Sequence, residues 1–327
     1  MSALIMDIDH IHFFVEDTAQ YRNYLIEKMG FQRSSHFKDA HTDTEVLKSG
    51  SIYFVLSSPL THDSPVFDYL ASHPPGVVDI ALRVEAIQPF LAKVEPKNQA
   101  IFHHQLPTGN LKWTQISGWG SLNHTLIENT ASVSFCDVVF GQGAKQAPEK
   151  TLQPTLTHID HVVLNVPVGM LNQAIDWYRH LFGFQVQQTF NIQTEYSGLK
   201  SQVLSLPNSQ LYFNINEPTS ANSQIQDFLD ANRGSGIQHI ALHTDHILQA
   251  VAQMRRMGQS FLAIPNAYYT QLRQRLAQRL RPLLSSAEIQ AVQAQQVLVD
   301  WQPEVPDALL LQIFTPPIFA QPTFFLS

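Results

Sequence analysis

The apolar positions of the chain predict a strand followed by a helix, and this pattern occurs at two distant places. Residues 8–15 and 159–166 are strand-length runs that are rich in apolar side chains. Residues 18–29 and 169–182 follow them with apolar side chains at helical spacing. A glycine follows each helical segment directly, and glycine is the residue at which helices commonly end.

Further elements follow in the same order in both halves. Strands are predicted within residues 44–57 of the first half and within residues 202–216 of the second. The second half then continues with a helix at 223–232, a strand at 236–243 and a helix at 246–257. The pattern therefore predicts an α+β fold, with mixed sheets that curl into half-open barrels.

Short blocks of sequence recur in one order along the chain, so we interpret it as two copies of one fold. The first copy is predicted to span residues 1–145 and the second residues 155–327. The segment 141–155 between them is rich in glycine, proline and polar residues, as linkers are. The matched blocks are IDHIHFF with IDHVVLN, MGFQ with FGFQ, Tyr53-Phe54 with Tyr212-Phe213, Asp68-Tyr69-Leu70 with Asp227-Phe228-Leu229, and GVVDIAL with GIQHIAL.

The second copy carries an insertion at residues 268–296 that is rich in arginine and glutamine, with leucine at helical spacing. We interpret it as surface helices whose basic residues face solvent. The formal net charge of the whole chain is −7, so there is no basic excess of the kind that nucleic-acid binding needs. A nucleic-acid partner is therefore excluded from the expected function.

Composition also bears on the compartment. The chain has 327 residues, of which 44% are hydrophobic, enough for two domains with cores. Cys136 is its one cysteine, which excludes an internal disulfide and fits a reducing compartment. The first residues lack the basic and apolar segments of a signal peptide, and no apolar run reaches the roughly 18 residues of a membrane span. We therefore expect a cytoplasmic protein without a membrane partner.

His161 and His239, two of the 15 histidines, stand on predicted strands of the second copy and form the candidate metal site. By strict alternation, His161 shares a strand face with Ile159, and His239 shares one with Ile237. The repeat places the two strands at equivalent edges of one domain, so the two imidazoles can converge. Two imidazoles and one carboxylate leave three positions of an octahedron open, an arrangement that suits Fe(II) oxygenases.

The first copy offers a different set of polar residues. His10 persists there, but Asp79 stands where the second copy has His239, and His124 lies on the last strand. A site of His10, Asp79 and His124 is the alternative to a copy that is kept for packing. We favour the packing role, because the polar residues that are described below as pocket candidates occur only in the second copy.

Two further histidines near the candidate site are set aside. His158 precedes His161 by three positions, so it points to the opposite face of the strand. His243 shares the face of His239 but lies near the strand end, where we expect it to be exposed to solvent.

Several motifs of the second half occur together in one known family. In chain order they are SGLKSQVL, FNINEP, SQIQDFL, GIQHIAL, LVD and LLLQIFTPP. With them the chain resembles the 4-hydroxyphenylpyruvate dioxygenase family of the vicinal oxygen chelate superfamily, over nearly its whole length. The resemblance implies two tandem half-open barrels built of βαβββ repeats, with a structural first domain and the iron and substrate site in the second.

The resemblance also implies a role for each matched residue. His161 and His239 are implied as ligands of Fe(II), and Gln312 is implied in catalysis as well. Neutral amides and a hydroxyl suit the phenol end of the substrate, because the iron already binds the keto-acid end. The residues implied to line the substrate pocket are Ser201, Asn216, Gln224, Gln312, Phe314 and Phe325.

The implied reaction converts 4-hydroxyphenylpyruvate and O₂ to homogentisate and CO₂, in tyrosine breakdown or in the supply of quinone and tocopherol precursors. The implied partners are an aromatic 2-oxo acid and O₂, and family precedent implies a homodimer or homotetramer. Two alternatives stay open. One is a 4-hydroxymandelate synthase that uses the same substrate, and the other is a non-catalytic module that binds an aromatic ligand.

The chain departs from the family at the third metal ligand, which is a glutamate on the final strand. Counting from Pro322 in QPTFFLS puts the position of that glutamate on Ser327, and the family's following helix has no counterpart in the sequence. A truncated enzyme, a natural short form and a catalytically inactive relative are the three explanations. For the sequence as it stands, we expect weak iron binding and little turnover.

Overall fold

A computed structural model arranges the chain in two sheet-rich halves. The predicted linker at residues 141–155 lies outside the described residues. The described residues are 5–94, 103–105, 111–129, 134–140, 156–193, 198–207, 211–278, 283–302 and 305–327.

The first half is built on one mixed sheet. Its elements are β1 (Ile5–Phe14), α1 (Thr18–Met29), β2 (Gln32–Lys38), β3 (Thr42–Ser49), β4 (Ile52–Pro59), α2 (Pro65–Ser72), β5 (Gly76–Val84), α3 (Gln88–Leu91), β6 (His103–Gln105), β7 (Leu111–Ser117), β8 (Asn123–Asn129) and α4 (Phe135–Val139). The strands lie in the order β2-β3-β4-β1-β5-β8-β7-β6.

The second half is built on a smaller mixed sheet and a two-stranded sheet. Its elements are β9 (Ile159–Asn165), α5 (Leu171–Phe182), β10 (Gln185–Gln193), β11 (Gly198–Ser205), β12 (Tyr212–Pro218), α6 (Gln224–Asn232), β13 (Gly236–Leu242), α7 (Ile247–Arg256), α8 (Asn266–Ala277), α9 (Ser286–Ala294), β14 (Leu298–Gln302), β15 (Val305–Gln312) and β16 (Phe325–Leu326). The larger sheet has the order β10-β11-β12-β9-β13-β16, and β14 pairs with β15. Within the described ranges, no helix is long and apolar enough to cross a membrane.

The same strand pairings occur in both halves. β1 pairs in parallel with β4 and antiparallel with β5, and β5 pairs in parallel with β8. In the second half, β9 pairs in parallel with β12 and antiparallel with β13, and β13 pairs in parallel with β16. The repeat in the sequence is therefore a repeat of topology, and the mixed sheets with their flanking helices confirm the predicted α+β class.

The predicted segments agree with the observed elements once two turns are added. Residues 44–57 are divided between β3 and β4 by a turn at Gly50, whose φ is 57°. Residues 202–216 are divided in the same way between β11 and β12. The first helix of each half ends, as predicted, at a left-handed glycine, Gly30 with φ 76° and Gly183 with φ 81°.

The two halves share one apolar core. The ring centroid of Phe13 lies 6.3 Å from that of Phe319 and 5.2 Å from that of Phe324. At another point of contact, the hydroxyl of Tyr178 lies 3.1 Å from Nε2 of His124. Each half therefore buries part of its own apolar surface against the other.

The insertion forms α8 and α9, which confirms that it is helical, but these helices are not simple surface elements. Tyr269 of α8 is fully buried and packs with Val292 of α9 and Val299 of β14 in a second apolar core. The interpretation as a solvated face applies to the outer side, where Arg273 donates a hydrogen bond of 2.6 Å to Gln293.

Candidate metal and substrate site

His161 and His239 lie on neighbouring antiparallel strands, and their rings meet on one side of the sheet. His161 of β9 stands opposite Ala241, and His239 of β13 stands opposite Val163. The ring centroids are 5.6 Å apart, and the ring planes are inclined by 78°. Two imidazoles that are arranged in this way can bind one metal ion between them.

The strict alternation assumed from the sequence is wrong beside both histidines, because each strand contains a β-bulge there. Asp160 is an extra residue in β9, and Gln238 is an extra residue in β13. As a result Ile159 and Ile237 lie in the apolar core, on the face opposite to the histidines. The bulges therefore decide which face of the sheet carries the two imidazoles.

The bulge at Asp160 also orients the ring of His161. Oδ2 of Asp160 lies 2.7 Å from Nδ1 of His161. The pKa of Asp160 is lowered, chiefly by its hydrogen bond with His161, so the carboxylate stays ionised near neutral pH. With a proton held on Nδ1, the Nε2 lone pair of His161 is the one that remains for a metal.

His239 is held neutral by its surroundings. Burial, and after it the charge of His161, lowers the pKa of His239 to about 3. Its ring stacks on Phe325 with centroids 4.7 Å apart and planes inclined by 16°. Its Nδ1 is buried and has no hydrogen-bond partner among the described residues. A neutral imidazole with an unpartnered nitrogen fits a metal ligand or a bound polar molecule.

Ser327 occupies the third position beside the two histidines. β16 runs parallel to β13 with Phe325 opposite His239. The backbone N–H of Ser327 donates to Ile240 at 3.1 Å, and the carbonyl of Ser327 accepts from Leu242 at 2.8 Å. Because side chains alternate along a strand, Ser327 faces the same side as Phe325. The position at which counting in the sequence places the third metal ligand thus lies near the imidazoles, and the side chain there carries a hydroxyl.

A row of polar side chains crosses the sheet on the same face. Ser201 of β11 stands opposite Asn216 of β12, and Asn216 stands opposite Asn165 of β9. Asn165 lies four positions after His161 on one strand, so the two share a face. Ser201 and Asn216 are each 8% exposed, and Nδ2 of Asn216 donates to Oδ1 of Asn165 over 3.3 Å. The structure therefore brings two of the predicted pocket residues onto the histidine face.

Two asparagines on this face are absent from the residues predicted from the sequence. Nδ2 of Asn165 and Oδ1 of Asn214 are buried and have no hydrogen-bond partner among the described residues. Buried amides without a partner are rare, and they indicate that a polar ligand or water belongs beside them. The sequence carries a signal for Asn214, because Asn214 and Asn216 alternate along one strand with apolar residues.

Gln312 and Ser327 border a cavity that also reaches His161. The cavity has a volume of about 310 Å³ and lies between β13, α7 and β15. Phe314 and Phe325 form an aromatic corner beside His239, with their centroids 6.0 Å apart. Phe314 and Phe325 thus lie beside His239, and Gln312 borders the same cavity as His161. Their roles in substrate binding stay predictions.

Gln224, like Ser201, Asn216, Phe314 and Phe325, is not among the residues that line this cavity. It is the first residue of α6, and its side chain is exposed. The helix is anchored by the buried side chains of Ile225, Phe228 and Leu229. Its role in the pocket stays a prediction.

The alternative site in the first copy is not formed. Asp79 accepts hydrogen bonds from the backbone N–H of Thr125 at 3.0 Å, from its hydroxyl at 2.7 Å and from Gln115. His124 points elsewhere, with Nδ1 3.1 Å from the carbonyl of Ile80. His10 is 3% exposed, and its Nδ1 is 2.9 Å from Asp9. The three residues are therefore satisfied by separate partners.

His158 and His243 form a pair of their own. Their rings stack with centroids 4.4 Å apart, and the hydroxyl of Thr157 lies within 3.0 Å of Nδ1 of both. His243 is half-buried and borders the cavity, so the expectation of simple solvent exposure was wrong. Stacking on His158 covers one side of its ring.

The chain is similar to a known family model and to several proteins along nearly its whole length. The model of the Glyoxalase/Bleomycin resistance protein/Dioxygenase superfamily matches residues 158–278. The chain is 32% identical to the 4-hydroxyphenylpyruvate dioxygenase of Yarrowia lipolytica, over 98% of this chain and 85% of that protein. It is 31% identical to the enzyme of that name in Dictyostelium discoideum, over 98% and 90% of the two chains. An uncharacterized protein of Synechocystis is 32% identical over 98% of this chain and 90% of its own length.

Among solved structures, a triple mutant of 4-hydroxymandelate synthase from Streptomyces coelicolor has a similar fold. The TM-score is 0.82 at 22% sequence identity, and the match covers 99% of this chain and 92% of the other. At this level of identity the likeness shows the fold alone. The predicted architecture of two tandem half-open barrels is confirmed by it.

Proposed function

Because the chain belongs to the 4-hydroxyphenylpyruvate dioxygenase family, we propose that it is an Fe(II)-dependent oxygenase that acts on 4-hydroxyphenylpyruvate. The proposed reaction consumes O₂ and yields homogentisate and CO₂. The observation that carries the proposal is the pair of imidazoles, 5.6 Å apart, on a sheet face that also bears buried amides without partners among the described residues. Assembly as a homodimer or homotetramer and a cytoplasmic location stay predictions.

Of the three side chains that would hold the metal, two are suitable ligands for Fe(II). Neutral imidazoles are good ligands for Fe(II), and the low pKa of His239 keeps that ring unprotonated at neutral pH. The third protein donor would be Ser327, whose hydroxyl is a weaker ligand than a carboxylate. Iron held by His161 and His239 would supply a Lewis acid for the 2-oxo acid and electrons for O₂.

The proposed roles of the other residues follow from their chemistry. Ser201, Asn216 and Gln312 offer neutral hydrogen-bond donors and acceptors, which bind a phenol without the cost of burying a charge. Phe314 and Phe325 would pack against the substrate ring and exclude water, as aromatic walls do in small-molecule sites. The chain itself therefore binds and orients the substrate and keeps the cavity dry.

The experiment that tests the proposal starts from protein purified without oxygen and loaded with Fe(II). 4-Hydroxyphenylpyruvate is added, air is admitted, O₂ uptake is followed, and the products are identified by mass spectrometry. Homogentisate, formed in step with O₂ uptake, is the expected product. The His239→Ala variant serves as the control, because it lacks one imidazole and should consume no O₂.

Two other functions predict different outcomes of the same experiment. Hydroxymandelate as the product would reassign the chain to the sister reaction, whose enzyme from Streptomyces coelicolor shares the fold. Binding of the 2-oxo acid without O₂ uptake would make the chain a non-catalytic relative. The hydroxyl of Ser327 in the third position favours this second interpretation, and the intact set of amides favours an enzyme.

A further inference from the structure

A second cluster of metal-ligating side chains lies in the first half, far from the proposed iron site in sequence. It consists of Asp9, His10 and Cys136, whose ligand atoms all lie within 4.8 Å of one another. The side chains of Asp9 and His10 are 7% and 4% exposed, and Cys136 is 0% exposed. The proposed reaction uses none of these residues.

A β-bulge positions this cluster, as a β-bulge does at the proposed iron site. Asp9 is an extra residue in β1, because Ile8 pairs with Leu82 and His10 pairs with Ala81. The bulge brings Oδ1 of Asp9 to 2.9 Å from Nδ1 of His10, as the bulge at the matching position of the second copy does. The first copy therefore keeps a histidine that is oriented by a carboxylate.

The helix α4 supplies the third group. It begins at Phe135, whose ring stacks on His10 with centroids 5.3 Å apart and planes inclined by 7°. Cys136 follows directly, and its thiol is enclosed in an apolar cluster that includes Val46 and Ile127. The helix thus closes the open side of the first half over His10 and brings a sulfur atom beside the ring.

The chemistry of the three groups favours a thiophilic cation. Thiolate, imidazole and carboxylate are the ligands of Zn²⁺, whereas Mg²⁺ and Ca²⁺ prefer oxygen alone. In a tetrahedral zinc site the ligand atoms are roughly 3.4–3.8 Å apart, so side-chain shifts of about 1 Å or less would bring these atoms to the spacing of a bound ion.

We propose that Asp9, His10 and Cys136 form a second metal site, which binds Zn²⁺ or a similar thiophilic divalent cation. Binding of the cation would release the thiol proton of Cys136, because the thiolate is the form that binds metal. The site is structural in character, because it is closed by α4 and lined by aromatic rings. It is distinct from the proposed iron site, which has no sulfur ligand among the described residues.

The nearest competing interpretation is a hydrogen-bonded pair of thiol and imidazole without a metal. The two interpretations differ in one spectroscopic property. Co²⁺ bound by a thiolate gives an intense charge-transfer absorption in the near ultraviolet, and Co²⁺ bound by imidazole and oxygen alone does not. Cys136 is the one cysteine of the chain, so any such absorption reports on this site.

The test uses the full chain, refolded in the presence of Co²⁺ or Zn²⁺ so that the closed site can load. The background carries His161→Ala and His239→Ala, which removes the imidazoles of the proposed iron site. We expect the charge-transfer absorption with Co²⁺ and about one tightly held Zn²⁺ per chain by elemental analysis. Absence of the absorption in this protein, whatever any further variant does, overturns the proposal.

Two substitutions in the same background refine the result. Cys136→Ser should abolish the absorption and release the zinc, and Asp9→Asn should lower the zinc affinity by roughly 10–100-fold. Ser34→Ala, at a surface serine that bonds to Asp137 of α4, is the matched control and should leave both readouts unchanged. Zinc content that is the same with and without Cys136 would contradict the assignment.

Discussion

Aspartate and histidine are neighbours in the tripeptide Ile-Asp-His, and both copies of the fold use them as a unit. In each copy the aspartate is the extra residue of a β-bulge, and its carboxylate lies within 2.9 Å of Nδ1 of the following histidine. Side chains at adjacent strand positions normally point to opposite faces, so the bulge is what permits this contact. The repeated tripeptide therefore produces a histidine whose ring is already oriented, with one nitrogen left for a ligand.

The carboxylate of Asp160 gives the first prediction. Asp160→Asn removes the negative charge that holds the proton on Nδ1 of His161, so the ring loses basicity and orientation. We expect the affinity for Fe(II) to fall by roughly 10–100-fold, measured by anaerobic equilibrium dialysis. Asp9→Asn, the matching change in the first copy, is the control and should leave iron affinity as it was. Equal iron affinity in Asp160→Asn and the unchanged protein would rule out this role.

The hydroxyl of Ser327 gives the second prediction. Ser327→Glu adds a carboxylate on the face of β16 that lies beside both imidazoles, and carboxylates are strong ligands for hard cations. We expect iron affinity to rise by at least about 10-fold and O₂ uptake with 4-hydroxyphenylpyruvate to rise with it. Ser327→Gln has the same shape without the charge and should produce neither gain. If glutamate and glutamine behaved alike, the third ligand position would lie elsewhere.

At the scale of elements, helix ends are specified locally and strand faces are not. The first helix of each half stops at a glycine in the left-handed conformation, which is decided within a few residues. The face that a strand presents depends on its register with a partner, and one bulge reverses it. For this reason the helix boundaries agree with the sequence pattern, whereas the faces of Ile159 and Ile237 do not.

The end of α5 gives the third prediction. Gly183 has φ 81°, and a Cβ added there would meet no atom within 4 Å, so the cost of a side chain is one of backbone conformation alone. Gly183→Ala should lower the free energy of unfolding by about 1 kcal/mol, measured by urea denaturation. Gly183→Asn should cost less, because asparagine tolerates left-handed backbone. A loss that is equal for both residues would show that packing, and not φ, is responsible.

For the whole molecule, the two halves behave as related units that fulfil different tasks. The second half leaves polar atoms unpaired around its histidines within the described residues, while the first half satisfies Asp79 internally and closes its face with α4. The halves are joined through an apolar core and through the contact between His124 and Tyr178. The first half therefore packs against the second, and the purely structural role favoured from the sequence stays a prediction.

The buried histidines give the fourth prediction, which concerns pH. Burial lowers the pKa of His12 and of His239 to about 3 and that of His124 to about 4, so all three are neutral in the folded state at pH 5. In the unfolded chain each takes up a proton below about pH 6.5. The unfolded state thus binds more protons, and the free energy of unfolding falls as pH falls from about 6.5 to 5, by up to about 1.4 kcal/mol per pH unit for each histidine.

Urea denaturation at several pH values between 5 and 6.5 measures this slope. Carboxylates whose pKa is lowered by partners, such as Asp43 and Asp160, stay ionised in this window and add little to it. His124→Gln removes one of the three groups and should reduce the slope by about one third. A free energy of unfolding that does not change over this window would contradict the prediction.

Most of the candidate site can be predicted from the sequence, and the exceptions have specific physical causes. The rings of His161, Phe314 and Phe325 lie next to that of His239, and Gln312 borders the cavity at His161. The chain pattern together with the family resemblance names all five residues, and their roles stay predictions. Gln224 is the first residue of α6, and its side chain is exposed. A short motif does not reveal which way the first turn of a helix points, so the sequence could not show this exposure. Asp160 and Asn165 escape such a prediction, because their importance depends on neighbours across the sheet.

By itself the sequence determined the repeat, the types of the elements, the helix ends and the family of this protein, since all of these depend on local spacing and on short motifs. The tertiary structure alone decided which strand faces the histidines occupy, which carboxylate holds His161, which of the described amides lie unpaired beside it, and how α4 closes the first half over His10 and Cys136. The physical reason is that hydrogen-bond register between strands is a relation between distant segments. One extra residue in a strand changes that register without leaving a periodic trace in the sequence.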